Sequence, residues 1–531
     1  MSVGLTLASS LLLPIALPNE FLPWGATLPG LVALVPVLVA VYRVPTRRTA
    51  SRLGLLFGVL STAIANYWLA FFGEFSVWTI GGTILVYAGY NYLLFGFLHV
   101  IAHGHDGTVP AIRPTDRPRR AMRPFWIAVA WTGYEYLKSV GFLGYPWGLV
   151  AYPLARWNSV AQIAEITGVW GLSFMAAYVN AAIADLVLCR AEGFGRRVTR
   201  SVAAHAVAAA LLVAVAAGFG AWQLPRIRPS GERSMLLVQQ NVDSWRPGRF
   251  ADALLQAEDL TLRGIATADR PIDAVVWSET ALRRTYSTAD AYWTETPAPL
   301  PFRAFLDLID VPLVTGAPMP AGPSGRDATN SVLVVSQRGE LLGSYGKQQL
   351  VPFAESIPFW SVPAVQEFFR SVVGLYGTWV PGDNSRPLPL PLPEGDTLMI
   401  GTPICFEDAF GWVPRAMVRN GAEVLVNLTN NSWSRQDSAQ TQHFVAARLR
   451  TIELRTTLVR STNSGLSAVV DATGRTTDSL PMFVGTSKRV DVPVYPSRWT
   501  LYRAWGDWLG ILAAITVLLR VAAGGIRARR R

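Results

Sequence analysis

The chain has 531 residues, 51% of them hydrophobic and only 16% charged, with a mean hydropathy of +0.28. A soluble globular protein carries about 25% charged residues, so this composition places much of the chain in lipid. The formal charge of +11 resolves into +7 over residues 1–223, +4 over 505–531 and zero over 224–504. The neutral middle has no polyanion footprint, which excludes nucleic acid as a partner, and two cysteines cannot build a disulfide framework.

Apolar runs occur in chain order at roughly 3–18, 24–42, 53–72, 77–101, 124–140, 160–189, 202–223 and 505–522. Most have the length of about 20 residues that crosses a bilayer. Pro14 and Pro18 interrupt the first, and no basic segment precedes it as a cleaved signal would require, so it reads as an uncleaved helix. The loops between the runs set the topology. Arg43, Arg47, Arg48 and Arg52 lie in one loop, Arg113, Arg117, Arg119, Arg120 and Arg123 in a second, and Arg190, Arg196, Arg197 and Arg200 in a third. Arg520, Arg527, Arg529, Arg530 and Arg531 close the chain, while the alternate short loops hold only Arg156. The positive-inside rule then puts both termini in the cytoplasm and 224–504 on the opposite side of the membrane, with eight spans.

Within the spans, Glu135 and Lys138 are three residues apart and read as an ion pair fixing helix packing. His99, His103 and His105 have helical spacing but no cysteine or carboxylate cluster beside them, so no metal is expected.

Residues 233–495 alternate between short β-branched runs and helix-like stretches. Strands are predicted at Ser234–Gln239, Ala274–Trp277, Val311–Thr315, Ser331–Val335, Thr397–Ile404, Glu423–Asn427, Thr457–Arg460 and Ser467–Asp471. Helices are predicted at 250–268, 300–308 and 436–453. About 260 residues suffice for one large α/β sandwich. The chain thus divides into 1–223, 224–504 and 505–531.

Three ionisable residues stand at the ends of β-type runs. Glu279 follows Val275-Val-Trp-Ser, Lys347 follows Tyr345-Gly, and Cys405 follows Thr397–Ile404 and precedes Phe406-Glu407-Asp408. A cysteine after a strand is most often inert core, a glutamate there can simply cap a turn, and a lysine can be an ordinary surface cation. Together they make a reactive set. A free thiol is only a few per cent thiolate at neutral pH. Glu279 could take its proton, the cationic Lys347 could stabilise thiolate and oxyanion, and the Phe406 N–H could add a second donor.

Glutamate, lysine and cysteine in this order resemble the triad of the carbon–nitrogen hydrolase superfamily. Over nearly the full length the chain is similar to its membrane-embedded branch, the bacterial apolipoprotein N-acyltransferases. The resemblance is carried by Glu135-Tyr-Leu-Lys138, Gly144-Tyr-Pro-Trp147, Gln162 to Ser173, Val238 to Asn241 with Trp245, Trp277-Ser-Glu279 and Lys347 to Glu355. Ile404 to Asp408, Asn427 to Trp433, Gln442-His443, Arg450, Glu453 and Thr462 to Ser467 extend it. Ser278, Arg283, Gly346, Phe406 and Asn431-Ser-Trp-Ser434 depart from the family pattern without touching the triad.

The resemblance implies an α-β-β-α sandwich carried on about eight helices. Glu279 would be general base, Lys347 the oxyanion cation and Cys405 the nucleophile, with Glu355, Glu407 and Phe406 in support. Trp245, Phe353 and Trp433 would line the substrate site. The implied reaction moves a fatty acyl chain from a membrane phospholipid through a cysteine thioester to the α-amino group of a diacylated apolipoprotein. The setting would be the bacterial cytoplasmic (inner) membrane, with the catalytic domain periplasmic or extracytoplasmic, no cofactor, and a monomer as the working form.

The residues alone also allow a membrane-tethered amidase acting on a small amide, or an inactive scaffold for lipoprotein sorting. Eight spans and an intact triad argue against these two respectively. The stretch from Phe353 to Trp379 gathers seven aromatic rings around Glu355, Glu367 and Arg370. It is expected to be a membrane-leaning lid over Cys405, the competing reading being that its rings fill the domain core.

Overall fold

The computed structural model describes residues 1–73, 76–103, 122–192, 196–242, 250–321, 327–373 and 378–529. The chain forms two compact units, one made of Met1–Arg226, Asp437–Val445 and Trp505–Arg531, the other of Ile227–Gln436 and Ala446–Ala504.

The first unit is helical. Each apolar run carries a helix: Ser2–Ala16, Val35–Arg43, Arg47–Ala65, Ser76–His103, Arg123–Ser139, Val169–Glu192, Arg196–Gln223 and Trp508–Arg529. By length and composition, the helices Ser76–His103, Val169–Ala191 and Thr199–Arg226 are long and apolar enough to cross a membrane. Ser2–Ala16, Thr27–Arg43 and Trp508–Ala523 are apolar but shorter. The second run is a turn at Thr27–Gly30 followed by Val35–Arg43, with Pro29 in the turn and Pro36 at the start of the helix. Proline supplies no backbone N–H and is tolerated in a helix mainly at its first turn, so the run breaks there. Close helix contact needs small residues: a Cβ on Gly54 would lie 2.3 Å from the Asn91 carbonyl oxygen on the neighbouring helix.

Glu135 and Lys138 are both hydrogen-bonded, though not to each other as the spacing implied. Lys138 donates to the Trp147 carbonyl at 2.7 Å, whereas Glu135 accepts from Trp131, the Val150 N–H and Ser173. The expected direct pair is therefore replaced by two separate anchors, because backbone and hydroxyl partners lie closer to each charge. His99 and His103 stack at 4.3 Å and each reaches a backbone carbonyl, of Val44 and Tyr42. His105 and the arginines of loop 104–121 lie outside the described residues. Among the described residues no cluster of three or more His, Cys, Asp or Glu could hold a metal ion.

Among the described residues, the second unit is an α/β sandwich of twelve strands: β1 Gly231–Gln239, β2 Ala274–Val276, β3 Leu313–Ala321, β4 Asp327–Val335, β5 Leu341–Gly346, β6 Leu388–Pro391, β7 Thr397–Gly401, β8 Val424–Thr429, β9 Thr457–Thr462, β10 Ala468–Val470, β11 Thr476–Ser479 and β12 Thr486–Val494. They form two six-stranded sheets, ordered β12-β1-β2-β3-β4-β5 and β11-β10-β9-β8-β7-β6. Each sheet has a parallel centre, with Leu236 opposite Val275 and Val275 opposite Leu313 in one, and Ile400 opposite Val424 and Leu425 opposite Leu458 in the other. Helices Phe250–Ala266 and Phe302–Ile309 cover the first sheet, burying Leu254, Phe302, Phe305 and Leu306 against Leu236, Val238 and Trp277. Helix Trp412–Arg419 packs on β7 and β8. The sheets meet through a partly polar seam, in which Ser461 donates to the Val276 carbonyl and Ser467 to Gln239.

Strand β7 ends at Gly401, short of the predicted Ile404, which makes only an isolated bridge to Leu428. Pro403 has no N–H to continue the ladder. Strands β5, β6, β11 and β12 and the helices Pro363–Val373 and Trp412–Arg419 carry signals too short or too polar to read from sequence. Strand β6 (Leu-Pro-Leu-Pro) is tolerated only because it is an edge.

Candidate active site

Three chain segments come together at the ends of β2, β5 and β7. After β2 the chain turns sharply, with Thr280 at φ +49 directly behind Glu279. A β-branched residue in that region is an outlier that surrounding contacts must impose. Gly316 of β3 permits it, since a Cβ there would lie 2.3 Å from the Thr280 nitrogen. Glu279 is thereby held in the interior. Its carboxylate accepts from Asn330 Nδ2 at 2.8 Å and from the Asn430 N–H at 2.7 Å.

Lys347 follows β5 and is wholly buried. Its main chain is clamped on both sides: its N–H donates to the Asn330 carbonyl and its carbonyl accepts from the Gly382 N–H. Its Nζ lies 2.8 Å from Glu355 Oε1 and 3.6 Å from Glu279 Oε1. Asn330 and Lys347 thus tie both carboxylates into one cluster. Glu355 is further fixed by the Val351 N–H at 2.9 Å.

Cys405 begins a short 3-10 turn, Cys405–Ala409, and sits at φ +50. Its carbonyl accepts from Asn427 Nδ2 at 3.1 Å. The residue is partly exposed and its thiol is free. Glu407 is buried beneath it and works as an organiser: it accepts from the Ile404, Gln348 and Gln349 N–H groups and from the Tyr345 hydroxyl, at 2.7–3.0 Å. One carboxylate therefore fastens the turn before Cys405 to the segment after Lys347. Phe406 turns its ring onto Phe410, with centroids 4.6 Å apart.

The electrostatics follow from this burial. Burial pushes the Cys405 thiol well above its ordinary value, and the Glu279 carboxylate adds to the rise while Lys347 opposes it. Burial also raises Glu279, with Lys347 pulling it down and Glu355 pushing it up. For Lys347 burial disfavours the ammonium, yet Glu355, Glu279 and Cys405 outweigh it and hold the group charged. Burial lifts Glu407 to about 7 against the pull of its three backbone donors and of Lys347.

The structure thus assembles Glu279, Lys347, Glu355, Cys405 and Glu407 in one region of the α/β unit. Trp433 is half-buried on the segment after β8, and Phe353 is exposed at φ +62 beside Glu355. Trp245 and Tyr376 lie outside the described residues. In the stretch from Phe353 to Trp379, Phe353, Phe359 and Phe368 are 45%, 78% and 47% exposed. That excludes the core reading for these three rings. Sequence reading missed Asn330 and Arg460 and gave no role to Asn427 and Asn430 within the Asn427 to Trp433 segment, although all four hold the site from behind. Their one signal was a polar or charged side chain in or just after an otherwise apolar strand.

Residues 9–182 match the model of the apolipoprotein N-acyltransferase N-terminal domain, and residues 236–487 match the carbon-nitrogen hydrolase model. The chain is 34% identical to apolipoprotein N-acyltransferase 2 of Treponema denticola, over 98% of this chain and 97% of that one. The chain belongs to the apolipoprotein N-acyltransferase family. It is 35% identical to apolipoprotein N-acyltransferase 2 of Treponema pallidum, over 98% of this chain and 95% of the relative. To the apolipoprotein N-acyltransferase of Borreliella burgdorferi it is 28% identical, over 94% and 91%. It is an acyltransferase with a nitrilase-like domain joined to apolar helices.

Proposed function

We propose that the chain moves a fatty acyl group from a membrane phospholipid to Cys405, and from there to the α-amino group of the diacylglyceryl-cysteine of an apolipoprotein. The observation that supports this best is the cluster of the buried Glu279 and Lys347 with the half-buried Glu355, acting on the Cys405 thiol. Cys405 and Glu279 are both raised by burial, so the resting thiol keeps its proton. Passing that proton to Glu279 leaves the total charge of the cluster unchanged, the least costly ionisation available in a desolvated site.

The thiolate sulfur bonds to the ester carbonyl carbon of the donor, and the carbonyl oxygen becomes an oxyanion beside the Lys347 ammonium. As the tetrahedral adduct collapses, the C–O bond to the glycerol oxygen breaks. Glu279 returns its proton to that oxygen, releasing lysophospholipid and leaving a thioester. In the second half the lipoprotein α-amino group attacks the thioester carbon and loses a proton to Glu279. The C–S bond then breaks and the sulfur regains its proton. Glu355 keeps Lys347 aimed, and Glu407 keeps the two catalytic segments in register.

The remaining features belong to the same reading. Eight helices cross the bacterial cytoplasmic membrane, both termini are cytoplasmic, the α/β unit is extracytoplasmic, and the enzyme acts as a monomer. Phe353, Trp433 and Trp245 contact the lipid substrates. Incubating the purified chain with phospholipid and a synthetic diacylated lipopeptide tests the reaction. The lipopeptide should gain the mass of one fatty acid less water, and release of free fatty acid with no lipopeptide product would instead identify a hydrolase.

A further inference from the structure

Cys405 is a non-glycine residue at φ +50, a strained conformation that its surroundings must hold in place. The group placed to hold it is Asn427 of β8. Its Nδ2 donates to the carbonyls on both sides of Ile404, Pro403 at 3.0 Å and Cys405 at 3.1 Å. An amide does this only in one of its two orientations, because the flipped form would set its oxygen against both carbonyls. Two donors fix the orientation from behind: the Thr429 hydroxyl at 2.6 Å and Arg460 Nε at 3.4 Å, both to Asn427 Oδ1.

Arg460 stands directly opposite Asn427 in the β8–β9 register and is entirely buried. Its Nε also lies 3.3 Å from Asp408 Oδ2, equally buried and three residues after Cys405. A buried ion pair is a weak source of stability and is often replaceable by apolar residues at no cost. This one, however, joins the nucleophile turn to the amide that shapes it.

We infer that Arg460 is a positioning residue for Cys405, acting through the Asn427 amide; this rests on Cys405 being the acyl acceptor. Arg460 touches no reacting atom. It holds Asn427 in the donating orientation and balances the Asp408 carboxylate, whose charge otherwise bears on the thiol.

Two variants of the full chain in detergent test it. Arg460→Met/Asp408→Asn removes the guanidinium without leaving a buried charge unpaired. Asn427→Asp keeps the shape and the acceptor facing Arg460 but loses both bonds to the turn. In each, kcat should fall by about 10²-fold, the effect of a misplacement of about 1 Å, with KM nearly unchanged. Iodoacetamide alkylation of the Cys405 peptide, followed by mass spectrometry across pH, should change in rate or midpoint, while that of Cys189 in the same sample stays parental. If the double variant does not fold, Asn427→Asp decides. Parental kcat and Cys405 alkylation in either folded variant, or a rise in KM alone, would overturn the proposal. Activity surviving in Cys405→Ala would instead overturn the nucleophile on which it rests.

Discussion

Replacing Lys347 by methionine separates the electrostatic role of the cation from its role in turnover. The ammonium lies 2.8 Å from Glu355 and 3.6 Å from Glu279, so its loss leaves the buried Glu279 and the half-buried Glu355 sharing Asn330 with no opposing charge. Breaking a buried pair from one side costs about 3–5 kcal/mol. For a domain of this size about 2–3 °C of melting temperature accompanies each kcal/mol, giving a loss of about 6–15 °C at neutral pH. The sign of its pH dependence follows from Glu279. Burial already raises this carboxyl above 4.5 and Lys347 restrains it, so the variant raises it further. A raised carboxyl is protonated in the folded chain where the unfolded chain has already ionised. The penalty is therefore absent below about pH 4.5 and grows as pH climbs through the raised folded value. Melting followed by intrinsic fluorescence in detergent should give curves for parent and Lys347→Met that lie close at pH 5 and diverge towards pH 8. A constant offset, or none, would refute the placement of Lys347 between the two carboxylates.

Glu279→Gln should fold and lose more than about 10²-fold in turnover, as general-base removal does; near-parental turnover would pass the role to Glu355 or Glu407. Glu407→Gln should flatten part of the parental decline in melting temperature between pH 4.5 and 7. Its carboxyl, lifted to about 7, costs stability as pH rises through that window; an unchanged slope would contradict the assigned burial. Phe359→Ala/Phe368→Ala should melt within a few degrees of the parent, well short of the roughly 3–5 kcal/mol lost per core ring. It should nevertheless act more slowly on phospholipid in bilayers than on short-chain donors; a large drop in melting temperature, or equal rates on both donors, would defeat the lid.

The parts of the molecule that the sequence announced share a cause. Glu279, Lys347 and Cys405 each break an apolar run at the point where a strand ends, and a strand end is where an α/β sheet presents groups to a ligand. The eight strands read from β-branched runs are all present, because their side chains are buried on both faces and leave little room for polar residues. Strands β5 (Leu-Leu-Gly-Ser-Tyr-Gly) and β11 (Thr-Thr-Asp-Ser) lie at sheet edges, with exposed or polar positions that erase this signal. The supporting residues were hidden for a different reason. Arg460 is one charge in the strand Thr-Leu-Val-Arg-Ser-Thr, and only the pairing of β9 with β8 brings it to Asn427. Glu407 and Asp408 are adjacent in sequence yet face different partners, Tyr345 and Arg460, a division that the 3-10 turn creates and no spacing rule contains. The Glu135–Lys138 pair shows the converse, a helical spacing that allowed a contact which a nearer backbone acceptor for Lys138 and a nearer backbone donor for Glu135 displaced.

The most direct test of acyl transfer through Cys405 is a single-turnover measurement. The purified chain is incubated with phospholipid alone, digested and weighed, and the rest of the sample is then chased with diacylated lipopeptide. The peptide containing Cys405 should carry one fatty acyl group in thioester linkage. The chase should discharge it into the lipopeptide, and Cys189→Ser should behave as the parent. An acyl group on any other residue, or lipopeptide product formed by Cys405→Ala, would contradict the mechanism.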